Sequence, residues 1–553
     1  MLANSYFQAL PPNVILSIVR TGLNRGCSAE TYIDGLTMVE IKWLIALSHL
    51  CRSWRDIALS IVCHKHVITK GAQLPLSQFT ITNNAYLNYI RKLEIHLDDN
   101  DILCGKVAQK FKSSEYRNMC LPYANTIKIC VKGTRNSEQD DGNKENSTSD
   151  LAKYVKAAAP NATRMQVSHG EYPVARGKKY WESMQMFMNA YYRPSGTLIM
   201  ELDSHYLIPD DGIEMTVHMS SLSFVWNECS NDALKLMKLQ CSTLQEVTIH
   251  SIDTDDLSSL LLDDNGTVVT YPYLLNLTLD GQAGMEVTNR LEFEDAVPFP
   301  RLVKLNANII YPFGDDVLFR GNSGSLEELS LNFDYATATI INRANVFTPG
   351  KYKKLKTVDI RSFIEDIDNC DKQVKHHMKL LQGVASTTKK LLIRDIDISQ
   401  SFLEILPKSR LFKDIHTLCL NEIHLGLVDI LEILTALSAL QFLESGLVEL
   451  VATTNSIGIH DLDTLCRKYS MINKCFYKWR VPQESIISVE SGAQYAVILA
   501  MLCPRFRIIQ LPDQHKPEYF EKVKHYMNGP YFLKYPNVQN RLLSIKSEYD
   551  CCV

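Results

Sequence analysis

The sequence predicts an α/β chain in three stretches: a small all-helical segment over residues 1–70, an irregular stack of strand-and-helix repeats over 71–515, and a C-terminal cap and tail over 516–553. The stack is expected to form a curved parallel sheet with outer helices. Three observations predict this architecture. A helical i, i+3, i+4, i+7 apolar series lies near the N-terminus, a short apolar pattern recurs many times downstream, and its copies are nearly evenly spaced.

Composition sets the bounds. The chain has 553 residues, 46% of them apolar and 22% charged, with a formal net charge of -4. That is ample apolar material for a large core and excludes a mostly disordered chain. The near-neutral balance offers no electrostatic footprint for nucleic acid or an anionic membrane, so neither is expected as a partner. The 15 cysteines follow no framework spacing, and the opening stretch MLANSYFQALPPNV lacks the pattern of a secretory leader. Reduced core cysteines and a cytoplasmic and/or nuclear location are therefore expected.

Two helices are legible in the first seventy residues. Pro11 and Pro12 suit a helix start, where a missing N–H costs nothing, and Val14, Ile15, Ile18 and Val19 mark one apolar face. Periodicity breaks at Gly22 and resumes through Ile41, Leu44, Leu47, Leu50, Cys51, Trp54, Ile57 and Ile61.

The order Leu10-Pro11, apolar helix, Leu47-Ser48, Cys51-x-x-Trp54-Arg55 resembles the F-box, whose motif reads Leu-Pro, an aliphatic helix, then Leu-Ser-x-Val-Cys-x-x-Trp-Arg. The match covers about residues 8–68. Leu50 stands where valine is usual, and residues 20–40 lengthen the connection between the helices. The resemblance implies docking on a Skp-type adaptor, and through it on a cullin. The residues it implies are Leu10, Pro11, Val14, Ile15, Ile18, Leu47, Leu50, Cys51 and Trp54, with Trp54 weighted toward the internal core. So small a helical cluster buries its own faces poorly, which leaves apolar surface for a partner. Periodicity alone leaves a second reading open: a cap that seals the end of the repeats.

Downstream, the pattern apolar-x-x-apolar-x-apolar returns in LQEVTIH, LLNLTLD, LVKLNAN, LEELSLN, LKTVDIR, KKLLIRD and IHTLCLN. Its second apolar positions, Val247, Leu277, Leu305, Leu329, Val358, Leu391 and Leu418, lie 24 to 33 residues apart. Looser copies surround Leu93, Ile127, Met165, Met200 and Leu222. Alternation of this kind makes a strand with one buried face, and the segments at 232–239 and 427–440 read as helices of an outer layer. The array resembles an irregular leucine-rich-repeat solenoid, although the asparagine usual at the end of the strand motif is mostly absent. An ordinary α/β domain with parallel strands would share the alternation. Residues 134–150 carry no large apolar side chain and read as a disordered insertion.

No nucleophile elbow, phosphate loop or dinucleotide fingerprint occurs. The clusters at Cys63–His66 and His376-His377 lack the second half that a zinc site needs. No cofactor, metal or catalytic residue is therefore assigned. Outward-facing strand residues remain as candidates for holding a protein target: Glu246, Thr248, His250, Asn276, Thr278, Lys304, Asn306, Glu328, Ser330, Thr357, Asp359 and Arg361. The resulting expectation is a non-enzymatic substrate-recognition subunit of an SCF-type ubiquitin ligase. The alternative is a repeat scaffold for protein interaction with no ubiquitin role.

Overall fold

The computed structural model describes residues 15, 19, 44, 46–47, 52–62, 65–68, 87–98, 120–132, 145–169, 198–202, 219–226, 231–251, 255–256, 258–263, 265–281, 285–286, 297–310, 317–333, 346–362, 370–385, 387–394, 402–406, 412–448, 464, 467–469, 472, 475–482, 488–506, 508–510 and 516–527. The chain divides into two compact units, Met1–Asp253 and Thr254–Val553. Both are mixed α/β with parallel strands.

The first unit contains α1 (Arg52–Val62), β1 (Lys65–Ile68), β2 (Lys92–Asp98), β3 (Thr126–Lys132) and α2 (Glu145–Ala158). It continues with β4 (Arg164–His169), β5 (Leu198–Leu202), β6 (Met219–Trp226), α3 (Asn231–Leu239) and β7 (Glu246–Ser251). From β1 to β7 each strand pairs in parallel with the next along the chain.

The second unit contains β8 (Asp255–Asp256), α4 (Ser258–Leu261), β9 (Asn276–Gly281), β10 (Met285–Glu286), β11 (Lys304–Ile310), β12 (Glu328–Phe333) and β13 (Thr357–Ser362). It goes on through α5 (Cys370–Ala385), β14 (Lys390–Ile393), β15 (Thr417–Leu425), α6 (Leu427–Ala436) and β16 (Phe442–Leu447). It ends with β17 (Lys478–Arg480), α7 (Val489–Leu502), β18 (Ile508–Gln510) and α8 (Lys516–Met527). Strand β9 pairs with β11, and from β11 to β18 each strand again pairs in parallel with its successor. The two-residue strands β8 and β10 pair with each other, and β10 also pairs with the end of β11.

Register explains the recurring leucines. Leu277, Leu305, Leu329, Val358, Leu391, Leu418 and Leu443 are lateral partners across seven strands, and none is more than 1% exposed. Trp479 continues the row on β17, fully buried, and its indole N–H donates to Ser445 Oγ at 3.1 Å. Three residues before each of these positions, Leu274, Leu302, Leu326, Leu355, Ile415 and Leu440 fill a second buried row. Thr388 takes that place ahead of β14, its hydroxyl donating to the Val384 carbonyl at 2.8 Å.

A third row, six residues before the strand anchor, was not read from the sequence. It holds Leu87, Leu121 and Ala159 in the first unit and Tyr271, Phe299, Tyr352, Phe412 and Leu437 in the second, all buried. Large and small residues alternate there too freely to leave a motif. Where the row is aromatic it stacks: Tyr271 and Phe299 lie 5.5 Å apart between ring centroids, and Phe402 meets Phe412 edge-on at 4.9 Å.

At the entrance of nine strands among the described residues, one carbonyl accepts two successive N–H groups from the next strand along. Leu275 O accepts from Val303 and Lys304, Val303 O from Glu327 and Glu328, and Glu327 O from Lys356 and Thr357. Lys356 O, Lys389 O, His416 O and Gln441 O repeat the arrangement, and Arg91 O and Asn125 O do so in the first unit. This contact fixes the register, because a slip of one residue would turn every leucine outward.

Two expectations are corrected. The first seventy residues are not all helical: Lys65–Ile68 form β1 and pair with Lys92–Ile95, as suits the β-branched pair Val67-Ile68. The insertion expected at 134–150 is helical from Glu145 onward, because Leu151, Ala152, Val155 and Ala158 supply a buried face that carries its polar first turns; residues 134–144 lie outside the described set. Strands β1, β16, β17 and β18 extend the ladder beyond the copies legible as motifs. Among the described residues no helix is long and apolar enough to cross a membrane.

The C-terminal segment packs against α7, which is buried from Ser491 through Ala500. Tyr519, Val523 and Tyr526 turn inward from α8. Gln494 Nε2 donates to the Tyr526 hydroxyl at 3.0 Å, Tyr526 donates in turn to Glu490, and Lys522 Nζ reaches Glu490 at 2.8 Å.

Two outcomes are expected. In α5, a Cβ added at Gly383 would lie 2.2 Å from the Phe347 carbonyl oxygen. Gly383→Ala should therefore lower stability by about 1–3 kcal/mol in chemical denaturation, the overpacking cost, instead of the gain of about 1 kcal/mol that the swap gives in an open helix. Lys522 and then Tyr526 hold the Glu490 carboxyl below its ordinary 4.5. The stability this contributes is present above 4.5 and is lost as pH falls through the depressed folded value. Hydrogen exchange over 516–527 should speed up selectively in that acid window, relative to its intrinsic rate, and Glu490→Gln should abolish the pH step.

Candidate functional site

The alternation that buries the leucines presents a second set of side chains on the opposite face of the strands. On β9, β11, β12 and β13 these fall into lateral rows. One row is Asn276, Lys304, Glu328 and Thr357; the next is Thr278, Asn306, Ser330 and Asp359. A third holds Asn308, Asn332 and Arg361. Nine of the twelve candidate target-binding residues are thus brought together on four adjacent strands. The other three, Glu246, Thr248 and His250, sit on β7 in the first unit, where Ser221 Oγ donates to Glu246 Oε2 at 3.5 Å.

The polar face is tied together by charge pairs. Arg394 grips Asp359 in a bidentate contact, Nε to Oδ1 at 3.0 Å and Nη2 to Oδ2 at 2.7 Å. Lys304 and Glu328, register partners, approach to 3.2 Å, but both are about half exposed, which limits the pair to about 1 kcal/mol or less. Arg394 carries no signal of its role in the sequence. Its partner is 35 residues away and is found only through the β13–β14 register.

These rows enclose an open depression of about 320 Å³ around Asn306, Asn308, Asn332, Asp359, Arg361 and Arg394. Asn332 Oδ1 is buried there and has no hydrogen-bond partner among the described residues. Carboxamides supply both donors and acceptors, and the guanidinium groups add planar donors suited to carboxylate or peptide oxygen. Among the described residues lining the depression there is no histidine, cysteine or lysine. Hydrogen-bonded recognition of a polar chain is the chemistry this lining offers.

The row changes character further along. Leu392 and Cys419 follow Asp359, and polarity returns only at Glu444 and Arg480, whose charges lie 3.7 Å apart. Cys419 is buried, and burial first, then the Glu444 carboxylate, pushes its thiol up to about 12.

Of the residues implied for adaptor docking, Ile15, Leu47 and Trp54 are described. Ile15 is fully buried, as is Val19 one turn later; Trp54 is 2% exposed and Leu47 half-buried. Ile15 and Trp54 therefore face the chain's own interior. Leu10, Pro11, Val14, Ile18, Leu50 and Cys51 lie outside the described residues. Of the two clusters weighed as metal-like, His377 is buried in α5, and the side chains at Cys63–His66 lie outside the described residues.

No family model matches the chain, and no curated protein matches it in sequence.

The thiol environments generate a direct expectation. With iodoacetamide near neutral pH, Cys120, which is exposed, should be alkylated rapidly, while Cys419 should react only on unfolding. Peptide mass spectrometry with and without denaturant measures both.

Proposed function

We propose that this chain is the non-catalytic substrate-recognition subunit of an SCF-type ubiquitin ligase, in which a leucine-rich-repeat solenoid holds a protein target and an N-terminal F-box docks on a Skp-type adaptor and, through it, on a cullin. The observation that carries the solenoid reading is the ladder in which each strand pairs in parallel with the next along the chain, with leucine at the same buried register position strand after strand. A unit of one strand and one return segment cannot bury its apolar face alone, and stacking supplies the core. The target-binding reading rests on the amide- and guanidinium-lined depression over β11 to β14. The F-box reading rests on the residue order from Leu10 to Arg55. Its α1 has an inward face of Trp54, Ala58 and Leu59, with Arg55 and Asp56 exposed on the other side. On this reading the chain contributes proximity, and the bond-making belongs to its partners.

A second reading is favoured by the burial of Ile15 and Val19: the first helix is a cap on the repeats, and the protein is a scaffold with no ubiquitin role.

Adaptor binding separates the two. Purified full-length chain should co-elute with a Skp-type adaptor in size-exclusion chromatography. Leu10→Lys and Ile18→Lys should lose co-elution while circular dichroism and melting temperature stay unchanged. A folded wild-type chain that never co-elutes with the adaptor overturns the ligase reading and leaves the scaffold.

A further inference from the structure

Away from the depression, three chemically distinct side chains meet on the first unit. Glu94 and His96 are two residues apart on β2 and therefore share a face, while Leu93 and Ile95 point into the core with no exposure. The β2–β3 register sets His96 directly beside Cys130, and Ile127 and Ile129 of β3 are buried on the core side. His96 Nε2 lies 2.6 Å from Glu94 Oε1, and Cys130 Sγ lies 3.6 Å from the same oxygen. All three donor atoms fall within 4.8 Å of one another.

Convergence distinguishes this group from a nucleophile–base relay. A relay needs the imidazole in the middle, with the thiol on one ring nitrogen and the carboxylate on the other. Here His96 meets both Glu94 and Cys130, and Cys130 Sγ also approaches the carboxylate, so all three pairs are in contact and nitrogen, oxygen and sulfur surround one point. The Glu94 carboxylate is also only 4% exposed, although it stands on the face opposite the core. A buried carboxylate is expensive unless a cation compensates it, a role that protonated His96 fills at 2.6 Å and that a bound metal ion would take over.

We propose that Glu94, His96 and Cys130 form a site for a borderline divalent cation, of the zinc or cobalt type, with three protein ligands and one position left for solvent or another ligand. One nitrogen, one oxygen and one thiolate sulfur match such ions better than calcium or magnesium, which take oxygen alone, or cuprous copper, which prefers sulfur. Bonds of about 2.0–2.3 Å to these donors in tetrahedral geometry place ligand atoms about 3.3–3.7 Å apart. The Cys130–Glu94 separation already matches, and the His96–Glu94 pair needs to open by less than about 1 Å, within reach of side-chain rotation. On binding, the Cys130 thiol gives up its proton to solvent and His96 presents a neutral nitrogen, so the metal takes the place of the shared protons.

The test uses full-length chain, reduced and stripped of metal with chelator, titrated with zinc ion alone in a calorimeter and with cobalt ion in a spectrophotometer. Near-isosteric Cys130→Ser and His96→Gln should each bind one equivalent fewer than wild type. Cys130→Ser should also lose the thiolate-to-cobalt charge-transfer absorption. Zinc should raise the wild-type melting temperature by more than that of either variant. Glu94→Gln, measured the same way, covers the case in which one of these variants fails to fold. Equal stoichiometry and equal zinc-induced melting shifts in wild type and the folded variants would mean a hydrogen-bonded triad only and overturn the proposal.

Discussion

One hydrogen-bonding device sets the register of the ladder: a carbonyl at the strand entrance that receives two consecutive N–H groups from the following strand. It recurs at Leu275, Val303, Glu327, Lys356, Lys389, His416 and Gln441. Parallel strands share evenly spaced, slanted bonds that by themselves tolerate sliding. A two-point clamp at the entrance removes that freedom. Leucine rows on one face and polar rows on the other both follow from it.

The polar face shows what fixed register makes possible. Asp359 and Arg394 come from different strands, yet their contact is bidentate and short. Glu94, His96 and Cys130 likewise converge only because β2 and β3 are aligned residue for residue. Outward and inward side chains alternate along each strand, so the polar surface can be changed at positions that do not form the buried rows. Core and polar surface chemistry are thereby separated along a single strand, in alternate positions.

Legibility of the sequence followed the same division. The inward residues repeat a type, so Val247, Leu277, Leu305 and their successors marked the strands correctly, and the looser copies at Leu93, Ile127, Met165, Met200 and Leu222 fell on strands as well. The row six residues upstream is buried on most strands but mixes Leu, Ala, Tyr and Phe, so it left no motif. β17 has three residues, and its core position is a tryptophan, which hid it. The polar insertion before Leu151 concealed a helix start because its stabilising face lies further along the chain. The convergent Glu-His-Cys group was beyond reach for a different reason: its histidine and cysteine are adjacent only through register, and no spacing within one segment encodes that.

Strand length adds one more consequence. β15 runs for nine residues and β16 for six, whereas β17 and β18 have three each. Wide sheets are liable to recruit stray chains edge to edge, and the hazard scales with the length of backbone on offer. Among the described residues the ladder tapers to three residues at β17 and β18, which offers an intruding strand few backbone bonds.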